Sequence, residues 1–256
     1  MDVPERIEID GAAATVEELW GAVFTYGHFT AMQVRDLRTR GIELHLRRLD
    51  AATRELFGSS LERERVRELI RHALADRRDA SVRVYVFRRD GVPSVIVTVR
   101  PPGGVPTTPQ RLEPIVYQRP LAHIKRVGGF AEMDHTSLAQ RHGYDGSLLT
   151  GPEGEISEGG IANIGFFDGP TVVWPNAPHL HGITMQLLED TIAGRGMPSR
   201  RASVNVAEVP SFDGAFLSNA RGIVAVGTIG DQTLSVDEGR MRVLQDAYAS
   251  VPWDEI

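Results

Sequence analysis

Hydrophobic and polar positions alternate with a period of two in "SVRVYVFRRDG", where Val82, Val84 and Val86 interleave with Arg83, Tyr85 and Phe87. The apolar run "VPSVIVTVRPP" follows, and Asp90-Gly91 between them is a turn dipeptide, so the pair predicts a β-hairpin. The period lengthens to that of a helix in "GIELHLRRLDAATRELFG". There Leu44, Leu46, Leu49, Ala52 and Leu56 fall on one side, and Gly58 suits the C-cap. A second helix is predicted over "SLERERVRELIRHALADRR", with Leu61, Val66, Leu69, Ile70 and Leu74 as its buried stripe. Nearer the start, "RIEIDG" reads as a short strand ending in an Asp10-Gly11 turn, and "HFTAMQVRD" reads as another strand. Between them, "TVEELWGAVF" opens with a Thr-x-x-Glu capping box at Thr15 and Glu18, which predicts a helix start.

Both periods stop at residues 101 to 114, "PPGGVPTTPQRLEP", where Pro, Gly and Thr dominate. That stretch is the expected boundary between a lobe at 1–112 and a lobe at 113–256. The second lobe is predicted to start with a helix in "GFAEMDHTSLAQRHGY" and strands at "GSLLT", "IANIGFFDG" and "TVVWP". A helix in "HGITMQLLEDTIAGRG", strands near "AFLSNA" and "RGIVAVGTIGD", and a terminal helix in "EGRMRVLQDAYASV" complete it. The fold class expected is α+β in two lobes.

Composition removes several classes of function. With 41% hydrophobic and 24% charged residues, the 256-residue chain has the make-up of a soluble globular protein. Its net charge of −6, with basic pairs such as Arg77-Arg78 scattered among acids, gives no nucleic-acid footprint. No apolar run approaches the roughly 18 residues of a membrane span. The polar, acidic "MDVPERIEIDG" reads as neither signal peptide nor anchor, so a cytoplasmic location is expected. Absence of Cys excludes disulfides, zinc thiolates and cysteine nucleophiles.

Candidate chemistry starts at "LAHIKRVGGF". Lys125 is the only lysine among 28 Lys plus Arg, so every other basic side chain is arginine. A guanidinium keeps its proton near neutral pH, whereas a lysine amine can lose it and attack a carbonyl. The alternative is a leftover surface lysine in an Arg-rich composition. Glu158 in "GEISEGGIANIGFFDG" is either a turn cap or an acceptor held near a ligand, where Gly159 and Gly160 would permit close approach. In "PHLHGITMQLLED", Gly182, Ile183 and Thr184 open a helix, whose first N–H groups and dipole favour an anion. Arg48 sits on a half-buried helix and needs a carboxylate, such as Glu43 or Asp50, or a ligand phosphate. His45, on the same helix, reads as a structural, hydrogen-bonded histidine. There is no Walker or dinucleotide glycine loop and no Gly-x-Ser-x-Gly elbow. His179-x-His181 lacks an acidic ligand at useful spacing, so no metal is expected.

Taken in order, these segments resemble the class IV aminotransferases, the fold type IV enzymes that use pyridoxal 5′-phosphate (PLP). "FTYGHFTAMQV" is similar to that family's Tyr-Gly-Asp-Gly-x-Phe-Glu segment, and "LHLRRL" to its His-x-x-Arg-Leu. "LAHIK" is similar to the stretch ending in the Schiff-base lysine, "EISEGGIANI" to Glu-Gly-Ser-x-Asn, and "LHGIT" to Leu-Pro-Gly-Ile-Thr. The resemblance implies a small α/β lobe joined to a larger pseudo-barrel lobe that carries Lys125, with PLP between them. It implies that Lys125 bears PLP as a Schiff base and then shuttles the substrate proton, while Glu158 pairs with the pyridine nitrogen. It also implies that Arg48, the N–H groups of Ile183 and Thr184, and the backbone of Ile161 line the phosphate site. A homodimer that completes the substrate pocket is the family's usual assembly.

The activity so implied is transamination between an amino acid or primary amine and an oxo acid. Pyruvate elimination of the 4-amino-4-deoxychorismate lyase kind is the alternative, because "LAHIK" and "SNARG" look closer to lyase members. A binding protein that has lost catalysis is a third reading, motivated by departures from the family pattern. Phe130 stands where many members carry Tyr, Ser218-Asn219-Ala220 replaces Thr-Gly-Thr, and Met185 replaces an Arg. Candidate substrate contacts are Tyr26, His28, Thr30 and Tyr85, with Phe24, Arg83 and Phe87 beside them.

Overall fold

The computed structural model describes residues 4–16, 18–19 and 26–256. Its contacts divide the chain into two compact units. The first comprises the residues up to Gly104 with Ile124–Gly128 and Pro252–Ile256; the second comprises Val105–His123 and Gly129–Val251.

The first unit is a five-stranded antiparallel sheet covered by two helices. Its strands are β1 (Arg6–Ile9), β2 (Ala12–Ala13), β3 (Gly27–Val34), β5 (Ala80–Arg89) and β6 (Val92–Arg100), in the order β2-β1-β6-β5-β3. Helices α1 (Ile42–Phe57) and α2 (Arg63–Leu74) supply Leu46, Leu49, Val66, Leu69 and Ile70 to the core, against Met32, Val34, Val82, Val84 and Val86 of the sheet. Strand alternation explains the division: one parity of β3 and β5 faces the helices and the other faces away. The predicted hairpin turns at Asp90 and Gly91, both at positive φ, and joins Arg89 to Val92. The chain's end also belongs here. The short strands β4 (Arg38–Thr39) and β16 (Asp254–Glu255) pair, Asp254 caps α1 by accepting from Ile42 N at 3.0 Å, and Ile256 enters the core.

Thr15 and Glu18 form the reciprocal bonds of the expected capping box, Thr15 N donating to Glu18 Oε2 at 3.0 Å and Glu18 N to Thr15 Oγ1 at 3.3 Å. Most of the helix expected after them, and Phe24, lie outside the described residues.

The second unit holds a nine-stranded mixed sheet. Along it run β12 (Ser199–Ala202), β11 (Thr171–Pro175), β10 (Asn163–Asp168), β13 (Gly214–Asn219), β14 (Gly222–Ile229), β7 (Gln110–Val116), β8 (Gly146–Thr150) and β9 (Ile156–Gly159), with β15 (Gln232–Thr233) on β14. A bridge from Gly159 to Ala162 turns β9 directly into β10, although the two lie five strands apart along the sheet order. The sheet therefore curls into a half-barrel. Leu112, Leu148, Ile164, Phe166 and Val226 form a core on one of its faces. On the other, Trp174, Phe167 and Phe216 pack against α4 (Ile183–Thr191) and α5 (Glu238–Ser250). Burial on both faces is why "IANIGFFDG" reads as a nearly continuous apolar run.

The division falls at Gly104 rather than 112, and Lys125 groups with the first unit rather than the larger one. Two pairings explain this. β7 starts inside the Pro-rich stretch and runs parallel to β8 and β14, even though Pro114 lies within it. Residues 125–127 meanwhile pair with the edge of β3: Phe29 N donates to Lys125 O and Val127 N to Gly27 O, both at 2.8 Å.

Candidate active site

In the first unit, the pairing of residues 125–127 with β3 holds the Lys125 backbone. Lys125 Nζ lies 4.8 Å from the centre of the Phe29 ring, which stacks on Tyr85 at 5.3 Å. Strand parity separates the expected substrate contacts. Tyr85 is on the Phe29 side of the sheet, and with Tyr26, Phe87, Ile96 and Val127 it lines a cavity of about 210 Å³. His28 and Thr30 face α1 instead and are buried. His28 Nε2 lies 3.0 Å from Thr53 Oγ1, and burial, then the Arg48 charge, lower its pKa to about 4. It is neutral at pH 7.

Thr30 Oγ1 accepts from the Arg48 guanidinium and lies 2.6 Å from His45 Nδ1. His45 is thus the structural histidine expected. Arg48 meets neither carboxylate on its own helix: Glu43 pairs with Arg67, and Asp50 with Arg54 at 3.1 Å. Among the described residues its Nε is buried without a hydrogen-bond partner. Burial lowers its pKa to about 10, so it remains a cation at neutral pH.

In the second unit, Glu158 on β9 is buried, and its Oε1 accepts from Arg119 at 2.9 Å. Arg119 also donates to Glu132 Oε1 at 3.1 Å and to Ala122 O at 3.0 Å, so one cation serves two buried carboxylates. Burial raises the Glu158 pKa against the opposing pull of Arg119. Glu158 Oε2 takes a long 3.4 Å bond from Leu180 N, and Asn163 Nδ2 donates to Leu180 O at 2.6 Å. These contacts tie Glu158 to the segment that starts α4.

That helix start bears no side-chain cap on Gly182. Its early N–H groups, those of Ile183 and Thr184 among them, precede the intrahelical ladder, in which Gln186 N bonds Gly182 O at 3.0 Å. A Cβ on Gly182 would overlap the Asn163 side-chain oxygen, so any larger residue would have to displace the Asn163 side chain that holds Leu180 O. Thr184 Oγ1 donates to Asn219 O at 2.8 Å, which fixes α4 to the end of β13. Next to it, the Ser218 hydroxyl is buried without a partner among the described residues. Ile161, at the turn from β9 to β10, lines a cavity of about 280 Å³ with Thr136, Ser147, Gly160 and Asn219. Met185 is in the apolar core, and Phe130, the first residue of α3 (Phe130–Arg141), is largely exposed.

Residues 27–229 match the amino-transferase class IV family. The chain belongs to it. Membership makes this a PLP-dependent enzyme of the aminotransferase or related lyase kind. Similar solved structures show the same fold type IV architecture. A hypothetical aminotransferase from Mycobacterium tuberculosis in a PLP-bound form is 19% identical, with a TM-score of 0.82 over 96% of this chain and 98% of that one. The 4-amino-4-deoxychorismate lyase of Pseudomonas aeruginosa is 21% identical, with a TM-score of 0.82 over 96% and 99%. The branched-chain amino acid aminotransferase of Escherichia coli is 18% identical, with a TM-score of 0.83 over 97% and 95%. No protein of curated function matches the sequence.

Arg119 escaped the sequence reading. Its sequence signal is weak: one arginine among many, six residues before Lys125. The buried Glu158 could have prompted a search for such a partner.

Proposed function

We propose that this class IV enzyme is an aminotransferase that moves an amino group between an amino acid or primary amine and an oxo acid. The observation that carries the reading is Arg48, a half-buried cation with a neutral hydroxyl as its partner and a buried, orphaned Nε. Such a group fits a phosphate. The uncapped start of α4 and the orphaned Ser218 hydroxyl offer donors of the same kind in the second unit.

On this reading, Arg48 and Lys125 in the first unit would hold the phosphate and the cofactor's carbonyl carbon, and in the second unit the backbone of Ile161 and the N–H groups of Ile183 and Thr184 would also serve the phosphate. PLP supplies a carbonyl for amines and an electron-withdrawing ring. Lys125 Nζ, once displaced by the incoming amine, would accept the proton from the substrate carbon that bears nitrogen and would return a proton when the acceptor is converted. Glu158 would pair with the ring nitrogen and keep it protonated, while Arg119 holds its carboxylate in place. His28 and Thr30 are bonded inside the first unit, so Tyr85 and Tyr26, which border the cavity there, are the better candidates for substrate contact.

We also infer a homodimer, supported by large apolar side chains exposed on the second unit, Val116, Leu121, Phe130 and Met133. No helix among the described residues is long and apolar enough to cross a membrane, and we infer a cytoplasmic enzyme.

The test is a comparison of the protein with its Lys125→Ala variant. PLP should give the wild type a visible absorbance band that the variant lacks, and turnover should vanish while the melting temperature is kept. Persisting turnover would remove Lys125 from the mechanism. A panel of amines and oxo acids then separates the two chemistries: a transaminase consumes the oxo acid, whereas a lyase releases pyruvate without one.

A further inference from the structure

The hydroxyl of Thr30 stands between two side chains of α1. It meets the Arg48 guanidinium on one side and His45 Nδ1, at 2.6 Å, on the other. A guanidinium can only donate, so Thr30 Oγ1 accepts from Arg48. The single hydroxyl proton is then free for the other partner, and His45 Nδ1 receives it when the neutral ring carries its own proton on Nε2. A ring protonated on both nitrogens would aim two cationic donors at one oxygen.

We propose that Thr30 and His45 are positioning residues for Arg48, holding one end of its guanidinium so that the Nε edge faces the phosphate. This inference rests on the reading of Arg48 as the phosphate ligand. Three observations support it. Thr30 and His45 are buried, so water does not compete for these bonds. The buried Arg48 Nε has no partner among the described residues. Burial, and then the Arg48 charge, hold the His45 pKa well below the usual histidine range, in keeping with a neutral ring. An arginine anchored in advance loses less side-chain freedom when the anion arrives, which tightens binding without adding a contact.

The experiment measures dissociation constants of PLP and of pyridoxal, which lacks the phosphate, for apo wild type and for Thr30→Val, Thr30→Ser and Arg48→Ala. With a single lysine in the chain, the visible band reports Lys125 alone among side chains. Thr30→Val should weaken PLP roughly tenfold, as loss of a bond to a charged group does. Its pyridoxal affinity should not change, and Thr30→Ser should restore PLP binding. Equal weakening of PLP and pyridoxal by Thr30→Val would reduce Thr30 to a packing role and overturn the proposal. If Arg48→Ala leaves PLP affinity unchanged, the phosphate reading itself is wrong. If Arg48→Ala weakens PLP but Thr30→Val does not, only the positioning role fails. Nitrogen-15 spectra of wild-type His45 need no variant to fold: a neutral ring is expected, and a ring protonated on both nitrogens overturns its positioning role.

Discussion

Arg48 and Arg119 are both half-buried arginines whose charged ends point inward, and their surroundings are opposites. Arg119, in the half-barrel unit, has two buried carboxylates and a carbonyl. Arg48, in the sheet-and-helix unit, has one threonine hydroxyl. The carboxylates raise the Arg119 pKa against burial, whereas burial alone acts on Arg48 and lowers it to about 10. A protein compensates a buried charge internally when the charge is architectural. An uncompensated one is a place where a ligand supplies the missing charge. Arg119 therefore sets Glu158, and on the proposed reading Arg48 is the residue that an anion would complete.

The largest expected effect comes from undoing the compensated case. Arg119→Met strips Glu158 and Glu132 of their shared cation, and breaking a buried pair from one side costs about 3–5 kcal/mol. Urea unfolding of the apo protein measures it. A loss below about 1 kcal/mol would mean that water or another group takes over, and the contrast with Arg48 would lose its basis.

A smaller effect follows from the uncompensated cation. His28 titrates at about 4 in the folded chain, against an ordinary 6.5, because of burial and the Arg48 charge. Between those values the unfolded chain binds a proton that the folded chain refuses, so stability falls as pH falls through this window. The full shift corresponds to about 3 kcal/mol. His28→Gln should reduce the slope of that part of the curve, with the remainder coming from His45, when urea midpoints are compared at neutral and mildly acidic pH. An unchanged slope would place the titrating group elsewhere.

The two arginines also mark what the sequence could and could not reveal. Local periodicity made α1, α2 and the β5–β6 hairpin legible, because each buries one face at a fixed spacing. β7 was hidden by its place in a Pro-rich stretch and by Pro114; its parallel partners β8 and β14 are distant in sequence. Lys125 was legible as the single amine, but the strand it pairs with was not. In sequence, His28 and Thr30 look equivalent to Tyr85, because which parity of β3 and β5 faces the helices is not visible at those positions alone. Met32 and Val34, apolar and in phase with them, were the available signal that this parity faces the helices. Arg119 was illegible because its role exists only through Glu132 and Glu158, 13 and 39 positions away.

The smallest expected effect is the most discriminating. In the apo protein, Arg48→Met removes a cation that has no carboxylate partner among the described residues, together with the desolvation penalty that burial imposes on it. What is lost is one bond to Thr30, which leaves a hydroxyl that still reaches His45. Methionine fills much of the arginine stem's volume and tolerates irregular space. The two terms oppose each other, and the net change in apo stability should lie within about 1 kcal/mol of zero, of either sign. Measured beside Arg119→Met under the same urea conditions, the pair of variants isolates the difference between a compensated and an uncompensated buried charge. If Arg48→Met destabilises the apo protein as much as Arg119→Met does, Arg48 is an architectural residue, and the phosphate must be held by other groups.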